Sequence, residues 1–433
     1  MSRVLGIPTA CGAALAVRLG FVWAHDPYRH ADLTDYDDYL RQAGHLLARS
    51  SGPEDTFMPV GLTWWIALGK VLHLPPVWLP LWQVAAGVAT VALLGLAVGR
   101  IAGSERDGAW AAWLAAAYPP FIYYQGFLFT ETTTAALVAA AIAVAAGGLE
   151  RARGRAAVGL ALGAAAVWRT NVALVPLLWA AGSLAAGGPR AWLRGPPLRV
   201  LGWAALPIGV AALRASLLVG GPCGPATNGG VNFLLAHSDW TEIHLPYAGP
   251  DRPGAERVIH FFRNRRRARE AIYVATEPAF RERPLYAEAW RSMAATPARE
   301  LRRLPMAWLD GMGLGREGYY PRALWYDALV DSDRWMEASR PLLGVGVVLP
   351  AVAWAFWRIR SLRERAQSAE GLLAATIVAA LVTFTLYLSE PRMRVPFDVA
   401  FVAAAVLAWT GVSGGGLRRA WLVVAPARAS RRP

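Results

Sequence analysis

Long apolar runs with few charges recur along most of the chain. They are 4–24, 77–99, 108–124, 128–148, 156–186, 199–219, 341–357, 371–388 and 396–412. A helix of about 20 apolar residues crosses the roughly 30 Å hydrocarbon layer of a bilayer, and most of these runs are near that length. The pattern therefore predicts an all-α polytopic membrane protein.

Clusters of arginine in short loops set the expected orientation. They are Arg100 and Arg106; Arg151, Arg153 and Arg155; Arg190, Arg194 and Arg199; Arg358, Arg360, Arg363 and Arg365; and Arg418 and Arg419. Cytoplasmic loops are enriched in basic residues, and placing all of these inside requires 156–186 to cross twice, with a break at 168–171. The shorter apolar stretch 58–73 should then lie along the outer interface without crossing. The prediction is about ten spanning helices with both termini cytoplasmic, and with 1–24 retained as the first helix.

Composition agrees with this interpretation. The chain has 433 residues, 55% of them hydrophobic, and a formal net charge of +14. Such a basic chain could bind nucleic acid, but arginines concentrated between apolar runs favour membrane topology instead, so no nucleic-acid partner is expected. Two cysteines, Cys11 and Cys223, provide neither a disulfide framework nor metal-ligand spacing.

The runs divide the chain into three regions. Residues 1–219 form a transmembrane module that includes a long first outer loop, 25–76. Residues 220–340 form an extracytoplasmic loop or cap, in which 254–275 and 285–304 are expected to be helical. Residues 341–433 contain the last spanning helices and a short basic tail.

Charged residues at membrane depth all fall on the predicted outer side, although none of them was used to set the orientation. They are Arg18; Asp35, Asp37 and Asp38; Glu131; Arg169; and Glu390, Arg392 and Arg394. Ionisable groups at this depth are costly and often mark a functional path. Carboxylates can accept a proton from a hydroxyl, and arginines can bind a phosphate with two hydrogen bonds.

Five segments in order resemble one family. They are DYDDYLRQA at 35–43, YPPFIYY at 118–124 followed by TET at 130–132, WRTN at 168–171, NGGVNF at 228–233 and EPRMRVP at 390–396. These resemble motifs of bacterial GT-C glycosyltransferases, the family 39 or protein-mannosyltransferase-like group, with Met393 where tyrosine is usual. The resemblance spans most of residues 1–412.

The resemblance implies an inverting transfer of a sugar from a polyprenyl-phosphate donor to a hydroxyl acceptor, on the extracytoplasmic face of the bacterial inner membrane. It implies that Asp35 is the general base and that the arginines hold the donor phosphate. Some relatives use a divalent metal and others do not, so a metal is possible.

The predicted site residues fall into three groups. The catalytic candidates are Asp35, Asp38 and Glu131; the donor-phosphate candidates are Arg169, Arg392 and Arg394; the cleft candidates are Asp37, Asn228, Asn232 and Glu390. Each group also has a structural interpretation. The acids suit helix starts, Arg18 and Arg169 could extend to lipid head groups, the later arginines could pair with Glu390, and the asparagines could form turns.

Two other functional classes stay open at this point. A flippase or other transporter of lipid-linked sugars would also carry buried charges, but usually near mid-membrane and between repeated halves, and no repeat is visible here. An O-antigen ligase or polymerase would use outer-loop arginines but would not need an early acidic loop.

Overall fold

A computed structural model describes residues 6–28, 36–237, 282–314, 330–359, 365–387 and 391–411. Within these ranges the chain is helical and contains no strand. The helices are α1 (Ile7–His25), α2 (Tyr36–Leu47), α3 (Val60–Val71), α4 (Trp78–Ala102), α5 (Glu105–Ala117), α6 (Glu131–Gly148), α7 (Ala152–Trp168), α8 (Leu174–Arg194), α9 (Pro196–Val219), α10 (Gly229–His237), α11 (Glu282–Ala295), α12 (Pro297–Gly311), α13 (Val330–Leu343), α14 (Leu349–Ile359), α15 (Ala369–Leu386) and α16 (Asp398–Thr410).

Eight helical segments among the described residues are long and apolar enough to cross a membrane. They are Ile7–His25, Trp78–Ala102, Glu131–Gly148, Thr170–Arg190, Pro196–Val219, Ala338–Arg358, Ala369–Leu386 and Arg392–Thr410. The architecture is that of a polytopic helical membrane protein, as predicted. The other two predicted crossings coincide with α5 and α7, which are shorter, at 13 and 17 residues, so their crossing of the membrane stays a prediction.

The break predicted inside 156–186 is present. Helix α7 ends at Trp168, and Arg169 has an extended backbone (φ −147°, ψ 109°) before the next helix. A Cβ added to Gly159 would touch Val200 and Trp203, and one added to Gly163 would touch Ala204 and Pro207. Later residues of α7 therefore meet later residues of α9, so these two helices run parallel. Helix α8 must therefore return the chain between them. This places α7 and α8 antiparallel, but the double crossing of the membrane that the loop charges predict stays a prediction.

The first helix of the bundle carries a buried charge. Arg18 is completely buried and donates to the carbonyls of Ala115 and Ala116, at 3.3 and 3.2 Å. In a continued helix those carbonyls would accept from residues 119 and 120, which are prolines without an N–H. Arg18 thus stabilises the end of α5, and the expectation that it extends to lipid head groups is wrong.

Several elements differ from the predicted ones, and in one case the cause is a proline. The expected single helix 285–304 is two helices, α11 and α12, separated at Thr296 before Pro297. The expected helix 254–275 lies outside the described residues. Helix α13 begins at Val330, well before the apolar run, and continues through a π-helical turn, Gly344–Val348, into α14.

The first-loop helices pack with the cap helices in one hydrophobic cluster. Helix α3 has 12 residues and is therefore only about 18 Å long, too short to cross. Its Leu62 and Ile66 share a core with Tyr39 of α2, Phe233 of α10 and Trp168 at the end of α7. We call the end of the bundle that contains Trp168 and Glu131 the site end, and the opposite end, at the α6–α7 turn between Gly148 and Gly154, the far end. The first loop and the cap segment thus both lie at the site end.

Candidate functional site

Glu131 is the centre of a charged cluster at the site end. It is the first residue of α6, where a carboxylate is favoured by the positive end of the helix dipole. Its side chain is fully buried, and its Oε1 accepts from Arg169 Nη1 at 2.7 Å and from Arg392 Nε at 2.5 Å. The three residues come from three separate segments, so the contact joins α6, the α7–α8 break and the segment before α16.

The break after α7 aims Arg169 at this cluster. Its extended backbone ends the helix and allows the side chain to turn toward α6. Arg169 Nη1 also lies 3.4 Å from Thr130 Oγ1, and Nη2 lies 3.0 Å from the Met393 sulfur. Met393 therefore contacts the cluster directly through its sulfur. The Nε of Arg169 has no hydrogen-bond partner among the described residues.

Arg392 is held from two sides. Its guanidinium lies 4.0 Å from the centre of the Phe129 ring, a cation–π contact, while its Nε binds Glu131. The segment Pro391–Arg394, expected in the short link before the last spanning helix, is a helical turn.

Among the described residues of this cluster, one carboxylate faces two guanidinium groups. The side chains of Arg169 and Arg392 remain 11% and 18% exposed, whereas that of Glu131 is at 0%. The accessible face of the cluster therefore consists of arginine, whose guanidinium groups carry N–H donors. Such a face suits an anion with several oxygens, such as a phosphate.

Arg394 lies in a different environment from its neighbour Arg392. It is completely buried, and its Nε donates to Asp398 Oδ1 at 2.5 Å. Its Nη1 donates to the Met312 carbonyl at 2.5 Å, and its Nη2 lies 3.5 Å from the Tyr118 hydroxyl. Arg394 ties the start of α16 to the end of α12, and in this arrangement its guanidinium is not accessible to a donor phosphate.

The predicted first-loop and cap residues are placed only in part. Asp35 and Glu390 lie outside the described residues. Asp37 and Asp38 are in the first turn of α2, and Asp38 Oδ1 pairs with Arg41 Nη2 at 3.0 Å.

Asn228 and Asn232 lie at the start of α10, where the Asn232 N–H donates to the Asn228 carbonyl at 3.0 Å. Asn228 directly precedes α10 and Asn232 lies within it, and this helix packs against α11. The expected position of both residues in a substrate cleft stays a prediction.

One group of described residues has ligand atoms close enough for a metal ion. His45, Glu54 and Asp55 have such atoms within 4.8 Å of one another. The buried Asp55 carboxylate already accepts from His45 Nδ1 at 3.0 Å and from the Gly52 N–H at 2.9 Å. Arg214 also donates to the Asp55 carbonyl, at 3.3 Å. Because the Asp55 carboxylate already has these hydrogen-bond partners and a guanidinium lies nearby, the group suits a hydrogen-bonded structural contact better than a divalent cation.

Sequence reasoning missed a second polar cluster, which joins the cap to the bundle. His237 Nδ1 lies 2.8 Å from Glu300 Oε2, and its Nε2 lies 3.2 Å from the Leu386 carbonyl. Arg303 donates to the neighbouring Thr385 carbonyl at 2.5 Å. Carbonyls in the last turn of a helix lack intrahelical donors, so these cap side chains satisfy the end of α15. No sequence motif signals this cluster, since its members are far apart in the chain.

The pKa values of both His237 and Glu300 are lowered in the folded protein, for different reasons. Burial lowers the pKa of His237, even though the Glu300 hydrogen bond opposes the shift. Burial alone would raise the pKa of Glu300, but hydrogen bonds from Arg299 and His237 outweigh it and leave that pKa lowered. Both groups therefore resist protonation in the folded protein.

Comparisons with known proteins found no matching family model, no matching curated protein and no matching solved structure.

Proposed function

We propose that this chain is a membrane glycosyltransferase of the GT-C type. In this proposal it moves a sugar from a polyprenyl-phosphate donor to a hydroxyl acceptor on the extracytoplasmic face, with inversion. The observation that carries the proposal is the cluster of Glu131, Arg169 and Arg392, in which two partly exposed arginines surround one buried carboxylate at one end of the bundle.

The reaction needs a base and a site for the departing phosphate. The acceptor oxygen attacks the anomeric carbon, the bond from that carbon to the phosphate oxygen breaks, and the polyprenyl phosphate leaves. The hydroxyl proton goes to a carboxylate, for which Asp35 is the candidate. Guanidinium N–H groups of Arg169 and Arg392 stabilise the charge that develops on the leaving phosphate.

Glu131 has a positioning role in this scheme. Its carboxylate is fully buried between two guanidinium groups, so it is a poor acceptor for a substrate proton. It fixes the orientation of both arginines and offsets half of their charge. Removing it would leave two like charges opposite each other, which is unfavourable in a buried site.

The first outer loop is well placed to supply the base. Tyr36, the first residue of α2, belongs to the same hydrophobic cluster as Trp168, which directly precedes Arg169. Asp35 directly precedes Tyr36 in the chain. This continuity supports an acid from the first loop acting at the arginine cluster.

The test is a transfer assay with the full-length protein in lipid nanodiscs and a panel of polyprenyl-phosphate sugars. Asp35→Asn should lower kcat by about 100-fold or more, the usual contribution of a general base. Arg169→Gln and Arg392→Gln should weaken donor binding and turnover. Arg153→Gln, at the far end of α7, is the matched control and should keep full activity.

Two results would count against the proposal. Absence of transfer from every donor by the well-folded wild type would remove the glycosyltransferase assignment. Full activity of Asp35→Asn would remove Asp35 as the base while leaving the phosphate site to be judged from the arginine variants.

A further inference from the structure

A groove of about 500 Å³ lies at the far end of the bundle, between α7 and α9. Its lining is Ala152, Arg155, Arg199, Gly202, Trp203 and Leu206. Arg155 is thirteen residues before Trp168, the last residue of α7, a separation of about 20 Å along the helix axis. The groove is therefore separate from the cluster around Glu131.

The N-terminal ends of two helices, α7 and α9, lie at the groove, and both contribute positive electrostatic potential there. Helices α7 and α9 run parallel, and the groove lies where both begin, at Ala152 and Pro196. Neither helix has a side-chain N-cap or an acidic residue in its first turn. The N-terminal end of a helix is electropositive and attracts anions. At this groove, arginine side chains lie near the helix starts where acidic side chains are usually found.

The two arginines differ in how firmly the fold holds them. Arg155 donates from Nη1 to the carbonyls of Leu149 and Glu150, both at 2.9 Å, so its charge is anchored beside the groove. Arg199, in the first turn of α9, is exposed. The pair therefore combines a fixed and a free guanidinium across one opening.

The remainder of the lining is apolar and faces outward. Trp203 is 43% exposed and Leu206 is 54% exposed, on a helix that the structure shows as long and apolar enough to cross a membrane. A Cβ at Gly202 would meet nothing within 4 Å, so the groove is open at that point. A cationic pocket thus continues directly into a lipid-facing apolar surface, with a tryptophan at the boundary, where such rings favour the membrane interface.

We propose that this groove binds an anionic phospholipid. The lipid phosphate lies between Arg155 and Arg199, at the paired helix starts, and one acyl chain follows Trp203 and Leu206 along α9. Basic pockets between membrane helices are suited to anionic head groups. The apolar continuation selects a lipid over a free phosphate. This proposal does not depend on the proposed enzymatic function.

The test is lipid binding by native mass spectrometry on the full-length protein in detergent, with phosphatidylglycerol as probe and phosphatidylcholine as reference. Arg199→Gln should weaken phosphatidylglycerol binding about fivefold, the factor expected for one arginine at an anionic lipid surface. Arg153→Gln removes the same charge from α7 outside the groove and should change binding less than twofold. Gly202→Phe should block binding by filling the opening without altering charge.

Arg199 is chosen over Arg155 because Arg155 also holds the end of α6, so its loss would affect folding. Thermal unfolding checks that each variant is as stable as the wild type. Equal weakening by Arg153→Gln and Arg199→Gln would overturn the proposal in favour of general surface attraction. Unchanged binding in Gly202→Phe, or competition by inorganic phosphate at concentrations equal to the lipid, would also overturn it.

Discussion

Replacing Glu131 with glutamine tests how the charged cluster is held together. Glutamine keeps the shape of the side chain but removes the negative charge that lies between the guanidinium groups of Arg169 and Arg392. Hydrogen bonds to charged groups contribute about 1.5–3 kcal/mol each, and breaking a buried ion pair costs about 3–5 kcal/mol. Because the two arginine side chains are 11% and 18% exposed, they recover part of their hydration. We therefore expect the loss to be at the lower end, about 3 kcal/mol in the free energy of unfolding.

The assay is equilibrium unfolding in mixed detergent micelles, followed by tryptophan fluorescence or circular dichroism. Glu150→Gln is the matched control, because Glu150 is an exposed acid just after the other end of α6, and its effect should stay within about 0.5 kcal/mol. A double-mutant cycle of Glu131→Gln with Arg169→Gln should give a coupling of about 1.5 kcal/mol or more. A loss no larger than that of Glu150→Gln, or additive effects within about 0.5 kcal/mol, would refute the reasoning.

Three further predictions concern the bundle and the cap. Arg18→Met should destabilise the protein by about 2 kcal/mol or more, because it leaves two buried carbonyls without donors. Arg18→Lys should destabilise it by less, and thermal unfolding in detergent measures both variants. Gly163→Ala should destabilise the protein by about 1–3 kcal/mol, because its Cβ would come within 2.4 Å of the Pro207 Cγ. The control is Gly182→Ala, whose Cβ would meet nothing within 4 Å; it should be neutral or stabilising in the same measurement. The pKa of His237 is lowered from 6.5 in the folded protein, so the stability of the folded state should fall as the pH drops below about 6.5. The loss should be measurable as faster hydrogen exchange in α10, and His237→Gln should remove this pH dependence.

Each of these predictions has a contradicting outcome. Equal losses for the methionine and lysine variants would show that the charge of Arg18 does not stabilise the end of α5. A stabilising Gly163→Ala would show that α7 and α9 do not pack at the observed distance. Exchange in α10 that is constant from pH 7.5 to pH 5.5 would show that His237 is not buried as a neutral group.

The sequence alone determined the class of protein and several element boundaries. Hydrophobic length is a local property, so the membrane helices could be located from it, and the basic loops at both ends of 156–186 predicted the break at 168–171. A helix over 37–48 was expected from the acids before and within its first turn, and the structure has α2 at Tyr36–Leu47. Where boundaries were missed, as at Thr296, the competing signal was also local, since Pro297 ends one helix and begins the next.

Only the tertiary structure decided which charges meet. Glu131 binds one arginine 38 residues away and another 261 residues away, and no local pattern specifies such partners. Arg392 and Arg394 are two residues apart, yet Arg392 belongs to the cluster around Glu131, whereas Arg394 is buried against Asp398. The physical reason is that helix packing, not chain position, sets the distance between side chains, and charge pairing inside a bundle depends on that distance.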